Sequence, residues 1–137
     1  MKITASYLGD KRFSGGEGAA RVLMDAGTES GGKGEAMTPK QLVLQGLAAC
    51  TGMDVVSMLE KKEVPFDALQ IDVEAAQSKY HPVVFTKIHV TYRATAPEAS
   101  REAIEKAITL SEKTFCGVSA MLKMTADMTS ELVLQPV

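Results

Sequence analysis

An α+β fold, with helices gathered on one side of antiparallel sheet, is predicted by three features of the chain. Strand-like alternation occurs near its start, middle and end, a long apolar helix lies between the first two of these, and an amphipathic helix precedes the last. Ile3, Ala5 and Tyr7 alternate with Lys2, Thr4 and Ser6, and Arg21 to Asp25 reads as a second strand after the glycine-bearing turn that begins at Ser14. These two form an N-terminal hairpin or meander. The following Ala26-Gly-Thr-Glu-Ser-Gly-Gly-Lys-Gly-Glu35 lacks the spacing of a phosphate-binding loop and reads as a solvated, mobile connector.

At Thr38 the helix signals coincide: a threonine N-cap, Pro39 at the first helical position, and Gln41 three residues after the cap to close a capping box. The helix runs to about Lys62 and stops at Glu63-Val64-Pro65, because the residue before a proline is pushed out of the α region. Such a helix is about 36 Å long. Its apolar positions, Leu42, Val43, Leu44, Leu47, Val55, Val56, Met58 and Leu59, exceed what one sheet face needs, which predicts a central, largely buried helix.

Leu69, Ile71, Val73 and Ala75 alternate with polar residues, as do Ile88, Val90, Tyr92 and Ala94 after a turn at His81-Pro82, giving a long hairpin. Thr95-Ala-Pro-Glu98 reads as a second capping box, ahead of a helix whose apolar face (Ala103, Ile104, Ala107, Ile108, Leu110) ends near Lys113. Gly117 to Met121 forms a short third helix, and Met124 to Leu134 a final strand.

The 137 residues make one domain, 1–137, with a net charge of −2 and both signs scattered, so there is no basic track for nucleic acid and no polybasic membrane patch. The strongest apolar stretch, Leu42 to Leu59, is interrupted by Gln45, Thr51, Asp54 and Ser57, which argues against a membrane span. The start of the chain has no apolar secretory region, so a cytoplasmic location is expected, where thiols stay reduced. His81 and His89 are too few and too far from acidic or thiol partners for a metal site.

Cys50 and Cys116 are the only cysteines, and their wide separation rules out a local CxxC redox or zinc motif. If the fold brings them together, they form a peroxide-reducing or thiol-exchange site; the plainer reading is two small buried hydrophobes. Cys50 lies in mid-helix, where the macrodipole does little for a thiolate, so activation there needs a cation or a donor. Cys116 lies at a helix junction, where backbone N–H groups of the next turn can stabilise a thiolate. Asp54, one turn beyond Cys50, is placed to accept a hydrogen bond from the site or, equally, to cap or pair with a surface lysine.

Pro39-Lys-Gln-Leu, Gly46-Leu-Ala-Ala-Cys50 on a long helix, and Phe115-Cys116-Gly-Val-Ser-Ala after the second helix resemble the OsmC/Ohr family of osmotically inducible and organic hydroperoxide resistance proteins. Cys50-Thr-Gly-Met-Asp-Val-Val-Ser and Tyr80-His-Pro-Val-Val-Phe-Thr-Lys look closest to its YhfA-like branch, and the resemblance runs from about Tyr7 to Leu134. It implies an OsmC-like, domain-swapped homodimer with two sites at the subunit interface and no metal or bound cofactor. In that scheme Cys50 attacks a small hydroperoxide and becomes a sulfenic acid, Cys116 condenses with it to a disulfide, and a dithiol reductant reopens the bridge.

Where the family carries a glutamate that holds an activating arginine, this chain has Lys40, and neither Arg12 nor Arg21 lies in the expected arginine motif. Lys40 and Arg12 are therefore the candidate activating cations. The alternative function is non-enzymatic: a pocket at the dimer interface that binds a small apolar or thiol metabolite, with the cysteines as lining.

Overall fold

The computed structural model describes residues 1–137 and divides into two compact units, Met1–Leu44 and Gln45–Val137. In the first unit, β1 (Thr4–Gly9), β2 (Arg12–Glu17) and β3 (Ala20–Met24) form an antiparallel meander in sequence order. The middle strand occupies the stretch that sequence assigned to a turn. Its glycines serve close approach rather than a loop: a Cβ on Gly15 would stand 2.8 Å from Met24 Cε, and one on Gly16, at φ +150°, would lie 1.9 Å from the Ala20 carbonyl oxygen.

The glycine-rich connector is likewise more organised than its composition suggests. Asp25 is 1% exposed, and its carboxylate accepts the backbone N–H groups of Ala26 (2.8 Å), Lys33 (3.2 Å) and Glu35 (3.1 Å). The segment thus folds around a buried anion. The Glu35 N–H is the largest influence holding the Asp25 carboxyl below its ordinary value; burial opposes it, while the Ala26 and Lys33 N–H groups and the Arg12 charge assist. A carboxyl depressed in the folded state stabilises above its unfolded pKa, near 3.9, and that contribution fades as pH falls through the folded value. We therefore expect the Lys33 and Glu35 amides to lose exchange protection as pH drops from 5 toward 2. Asp25→Ala should speed their exchange at neutral pH by roughly tenfold or more, because three donors lose their acceptor; unchanged rates would count against the assignment.

The capping box forms as expected. Thr38 N–H donates to Gln41 Oε1 (2.8 Å) and Gln41 N–H to Thr38 Oγ1 (3.2 Å), launching α1 (Pro39–Lys61). The helix closes with Val64 N–H on the Leu59 carbonyl at 2.9 Å and Glu63 at φ +54°.

In the second unit, α1 buries one stripe, Leu47, Thr51, Val55 and Leu59 at four-residue spacing, with Ala48 beside it. The expectation of a largely buried helix is corrected here: Val43 is 44% and Met53 69% exposed. One chain supplies cover for a single face only. By length and composition α1 could cross a membrane, yet a stripe packed into the unit is equally the mark of a core helix.

After α1 come β4 (Ala68–Gln77), β5 (Phe85–Ala96), α2 (Arg101–Leu110), a π-helical turn (Ser111–Phe115), α3 (Gly117–Leu122) and β6 (Asp127–Pro136). The sheet order is β4-β5-β6. β4 and β5 pair antiparallel, Val73 opposite Val90, but β5 and β6 run parallel, Tyr92 opposite Leu132. The expected all-antiparallel sheet is therefore corrected to a mixed one. Two helices between β5 and β6 make a crossover long enough to carry the chain back to the end of the sheet where β5 began, so that β6 runs in the same direction.

The second capping box is not made, because Thr95 is still in β5, paired with Ala68. Ser100 precedes α2 without a capping bond and instead donates its hydroxyl to the Pro65 carbonyl (2.8 Å), while Glu98 pairs with Arg101. One face of β5 (Ile88, Val90, Tyr92, Ala94, Ala96) and the inner face of α2 (Ile104, Ala107, Ile108) are buried and belong to the core of this unit.

Candidate functional site

The second unit brings the two cysteines together. Cys50 is half-buried on α1 and Cys116 is buried at the start of α3; both are free thiols. The turn that delivers Cys116 is a π turn: its N–H reaches back five residues to the Ser111 carbonyl at 2.8 Å. Cys116 then caps α3, its Sγ accepting the Ser119 N–H at 3.3 Å. The backbone donor expected at this junction is present, but it does not prevail. Burial pushes the Cys116 thiol up to about 11, against the Ser119 hydrogen bond, with a contact from the Cys50 thiol and the charges of Cys50 and Asp54 adding to the rise. The two thiols are near enough for Cys50 to bear on the ionisation of Cys116.

Beneath the pair runs a chain of side-chain oxygens. Ser111 Oγ donates to Asp54 Oδ2 (2.9 Å) and also meets Thr51 Oγ1 (2.9 Å), which meets Tyr92 Oη (2.7 Å), which donates to Glu112 Oε1 (3.1 Å). Thr51, Tyr92 and Ser111 are each no more than 1% exposed. Ser130 Oγ donates to the other Glu112 oxygen (3.1 Å), and Lys123 Nζ to the Glu112 carbonyl. Burial, followed by the charge and hydrogen bond of Glu112, raises the Tyr92 phenol well above its ordinary range against the Thr51 contact, so the phenol keeps its proton.

Asp54 takes the first of its two sequence-level roles, accepting from within the site. Thr51, Tyr92, Ser111 and Glu112 escaped sequence reading. Tyr92 falls in the alternation of a core strand, and its polar tip on an otherwise aliphatic face was the one available signal. Ser111 and Glu112 lie beyond the regular part of α2, in the turn whose register no periodicity reveals.

Lys40 is exposed on the first turn of α1, ten residues before Cys50; a helix places those residues about 15 Å apart along its axis. Arg12 lies in β2 within ion-pair range of Asp10 (4.0 Å) and Glu35 (3.7 Å), and its Nε is buried without a hydrogen-bond partner. His89 bonds Thr129 Oγ1 (2.7 Å) and Glu131 Oε1 (3.2 Å) across the parallel strands. An apolar groove of about 450 Å³ lies between α1 and β4, lined by Ala48, Ala49, Met53, Val56, Leu69 and Ile71 among others; neither cysteine lines it.

Two sheets, a long helix and a facing pair of free thiols define a dithiol protein of α+β architecture. Residues 32–131 match the family model of OsmC-like proteins, and the chain belongs to that family. It is 29% identical to Protein YhfA of Escherichia coli K12 over 116 residues, 83% of this chain and 84% of that one, in line with the branch its motifs resemble. Its fold is shared with a hypothetical protein from Aquifex aeolicus VF5 (TM-score 0.85, 21% identity, 99% of this chain and 96% of the other). It is also shared with an organic hydroperoxide resistance protein OsmC from Legionella pneumophila (TM-score 0.69, 18% identity, 96% and 94%).

Proposed function

We propose that this chain is a thiol-dependent hydroperoxide reductase in which Cys50 is the peroxide-reactive thiol and Cys116 the resolving thiol. The observation that carries this reading is the approach of two free cysteines from distant parts of the chain, one half-buried and one buried, within a family linked to hydroperoxide resistance. Cys50 attacks the terminal peroxide oxygen, the O–O bond breaks, an alcohol leaves, and the sulfur becomes a sulfenic acid; Cys116 then displaces hydroxide to form the disulfide. A dithiol reductant restores both thiols by exchange.

Peptide mapping under non-reducing conditions after one equivalent of tert-butyl hydroperoxide tests the reading directly. An intrachain Cys50–Cys116 bridge, reversed by dithiothreitol, is expected. Two free thiols, or bridges only between molecules, would overturn it in favour of non-enzymatic binding in a pocket.

The same reading includes a cytoplasmic, domain-swapped homodimer. Apolar side chains left open on the first unit support a second copy: Tyr7 is 64%, Phe13 40%, Val22 39% and Leu23 41% exposed. A three-stranded sheet gains independent stability from a covered apolar face, and obligate interfaces commonly bury more than about 2,000 Å². Sedimentation at micromolar concentration should give about twice the 14.6 kDa chain mass; a monomer would refute the dimer.

A further inference from the structure

Ser119 is 0% exposed, and its hydroxyl has no hydrogen-bond partner. A buried hydroxyl left idle is costly, so the position calls for a reason. Ser119 is the third residue after the cap of α3, the place from which a side chain ordinarily reaches back to the N–H of the cap residue. Here that N–H belongs to Cys116, and the π turn has already taken it: it donates to the Ser111 carbonyl at 2.8 Å. Nor does the hydroxyl bond to a carbonyl of the preceding turn, the usual recourse of a serine in a helix.

The Ser119 N–H, meanwhile, donates to Cys116 Sγ at 3.3 Å. Two of the three staggered positions of the Ser119 side chain stand beside that same N–H, so the idle hydroxyl is carried by the residue that touches the sulfur. From this geometry we infer that Ser119 is a catalytic residue for thiol exchange, its N–H and hydroxyl together receiving the Cys116 sulfur as a thiolate when the disulfide is opened. The inference deepens the reductase reading and rests on the disulfide in it.

The two sulfurs differ in access, Cys50 being half-buried and Cys116 only 3% exposed. A dithiol reductant therefore attacks at Cys50. Its thiolate bonds to the Cys50 sulfur, the Cys50–Cys116 bond breaks, and Cys116 departs with the electron pair. The second thiol of the reductant then displaces Cys50 and leaves as part of the reductant's own disulfide. Cys50 and Cys116 take up, through solvent, the two protons the reductant has given up; two sulfurs are reduced and two oxidised.

A thiol leaves more slowly the higher its pKa, and burial holds Cys116 up to about 11. A second donor at this sulfur consequently bears on the rate. It does not bear on the equilibrium, because at neutral pH Cys116 ends the reaction protonated and the hydroxyl favours only the charged sulfur formed on the way.

Disulfide made with diamide, which involves no hydroperoxide, is opened with glutathione at neutral pH; freed thiols are blocked with N-ethylmaleimide and the mixed disulfide is mapped. Glutathione is expected on Cys50. Ser119→Ala should open roughly tenfold more slowly, the scale of one hydrogen bond to a charged group, and Ser119→Thr should regain most of the rate. Closing should slow by the same factor, so that the balance against the glutathione pair stays where it was. Reduced Ser119→Ala should unfold in urea no more readily than wild type, since no bond is lost. Glutathione on Cys116, equal opening rates, or a slower opening matched by a shifted balance would each overturn the inference. If hydroperoxide leaves the thiols free while diamide still joins them, the reductase reading fails alone and the role of Ser119 is judged by the same rates. If diamide joins nothing, the role of Ser119 falls.

Discussion

Replacing Cys50 with serine is expected to reduce hydroperoxide consumption by about two orders of magnitude or more, the scale on which losing a covalent nucleophile is felt. A hydroxyl, far less acidic and less nucleophilic than a thiol, cannot replace a thiolate in attacking an O–O bond. Cys116→Ser should behave differently. Without reductant it should consume about one equivalent of tert-butyl hydroperoxide as Cys50 becomes a persistent sulfenic acid, and a second equivalent as that sulfenic acid advances to sulfinic acid. A coupled assay with dithiothreitol, run beside intact-mass measurement, separates the two variants. Cys50→Ser protein that turns over at the wild-type rate would remove Cys50 from the chemistry.

The second large effect is on stability. Tyr92 is the largest fully buried side chain and makes no contact with solvent, so Tyr92→Ala should cost about 3–5 kcal/mol in denaturant unfolding. Tyr92→Phe keeps the ring and removes only the hydroxyl, at a cost of about 1–2 kcal/mol, because Glu112 loses one donor and Thr51 one partner. The difference between the two variants measures packing apart from hydrogen bonding. If Tyr92→Phe is as damaging as Tyr92→Ala, the oxygen chain rather than the ring dominates this part of the core.

Much of the fold was legible because its signals are local. Thr38, Pro39 and Gln41 announce the start of α1 through groups that bond to one another, and alternation in 68–77 and 85–96 follows from one buried face per strand. What failed depended on distant partners. Gly15 and Gly16 looked like a turn because the close approach of Met24 and Ala20 that excludes a side chain is invisible in sequence. Thr95 and Glu98 have the spacing of a capping box, yet strand pairing with Ala68 outweighs a cap worth about 1 kcal/mol. The parallel pairing of β6 follows from where a crossover ends, which no residue in β6 encodes. At the site, the thiols were visible as rare residues in recognisable contexts. Their supporting hydroxyls were not, since serine and threonine are common and only the assembled fold selects Thr51 and Ser111 from the rest.

The π turn before Cys116 holds one residue more than an α-helical turn closing over the same place, because its bond spans five residues rather than four. The wider turn takes up the surplus residue locally, so Cys116 leaves it facing as it would after an ordinary helical closure. In an unbroken α-helix the same extra residue would rotate everything after it by about 100°. The π turn is in this sense a phase buffer: a change of one residue between Ser111 and Phe115 is absorbed in the width of the turn and is not passed on to the direction in which Cys116 points.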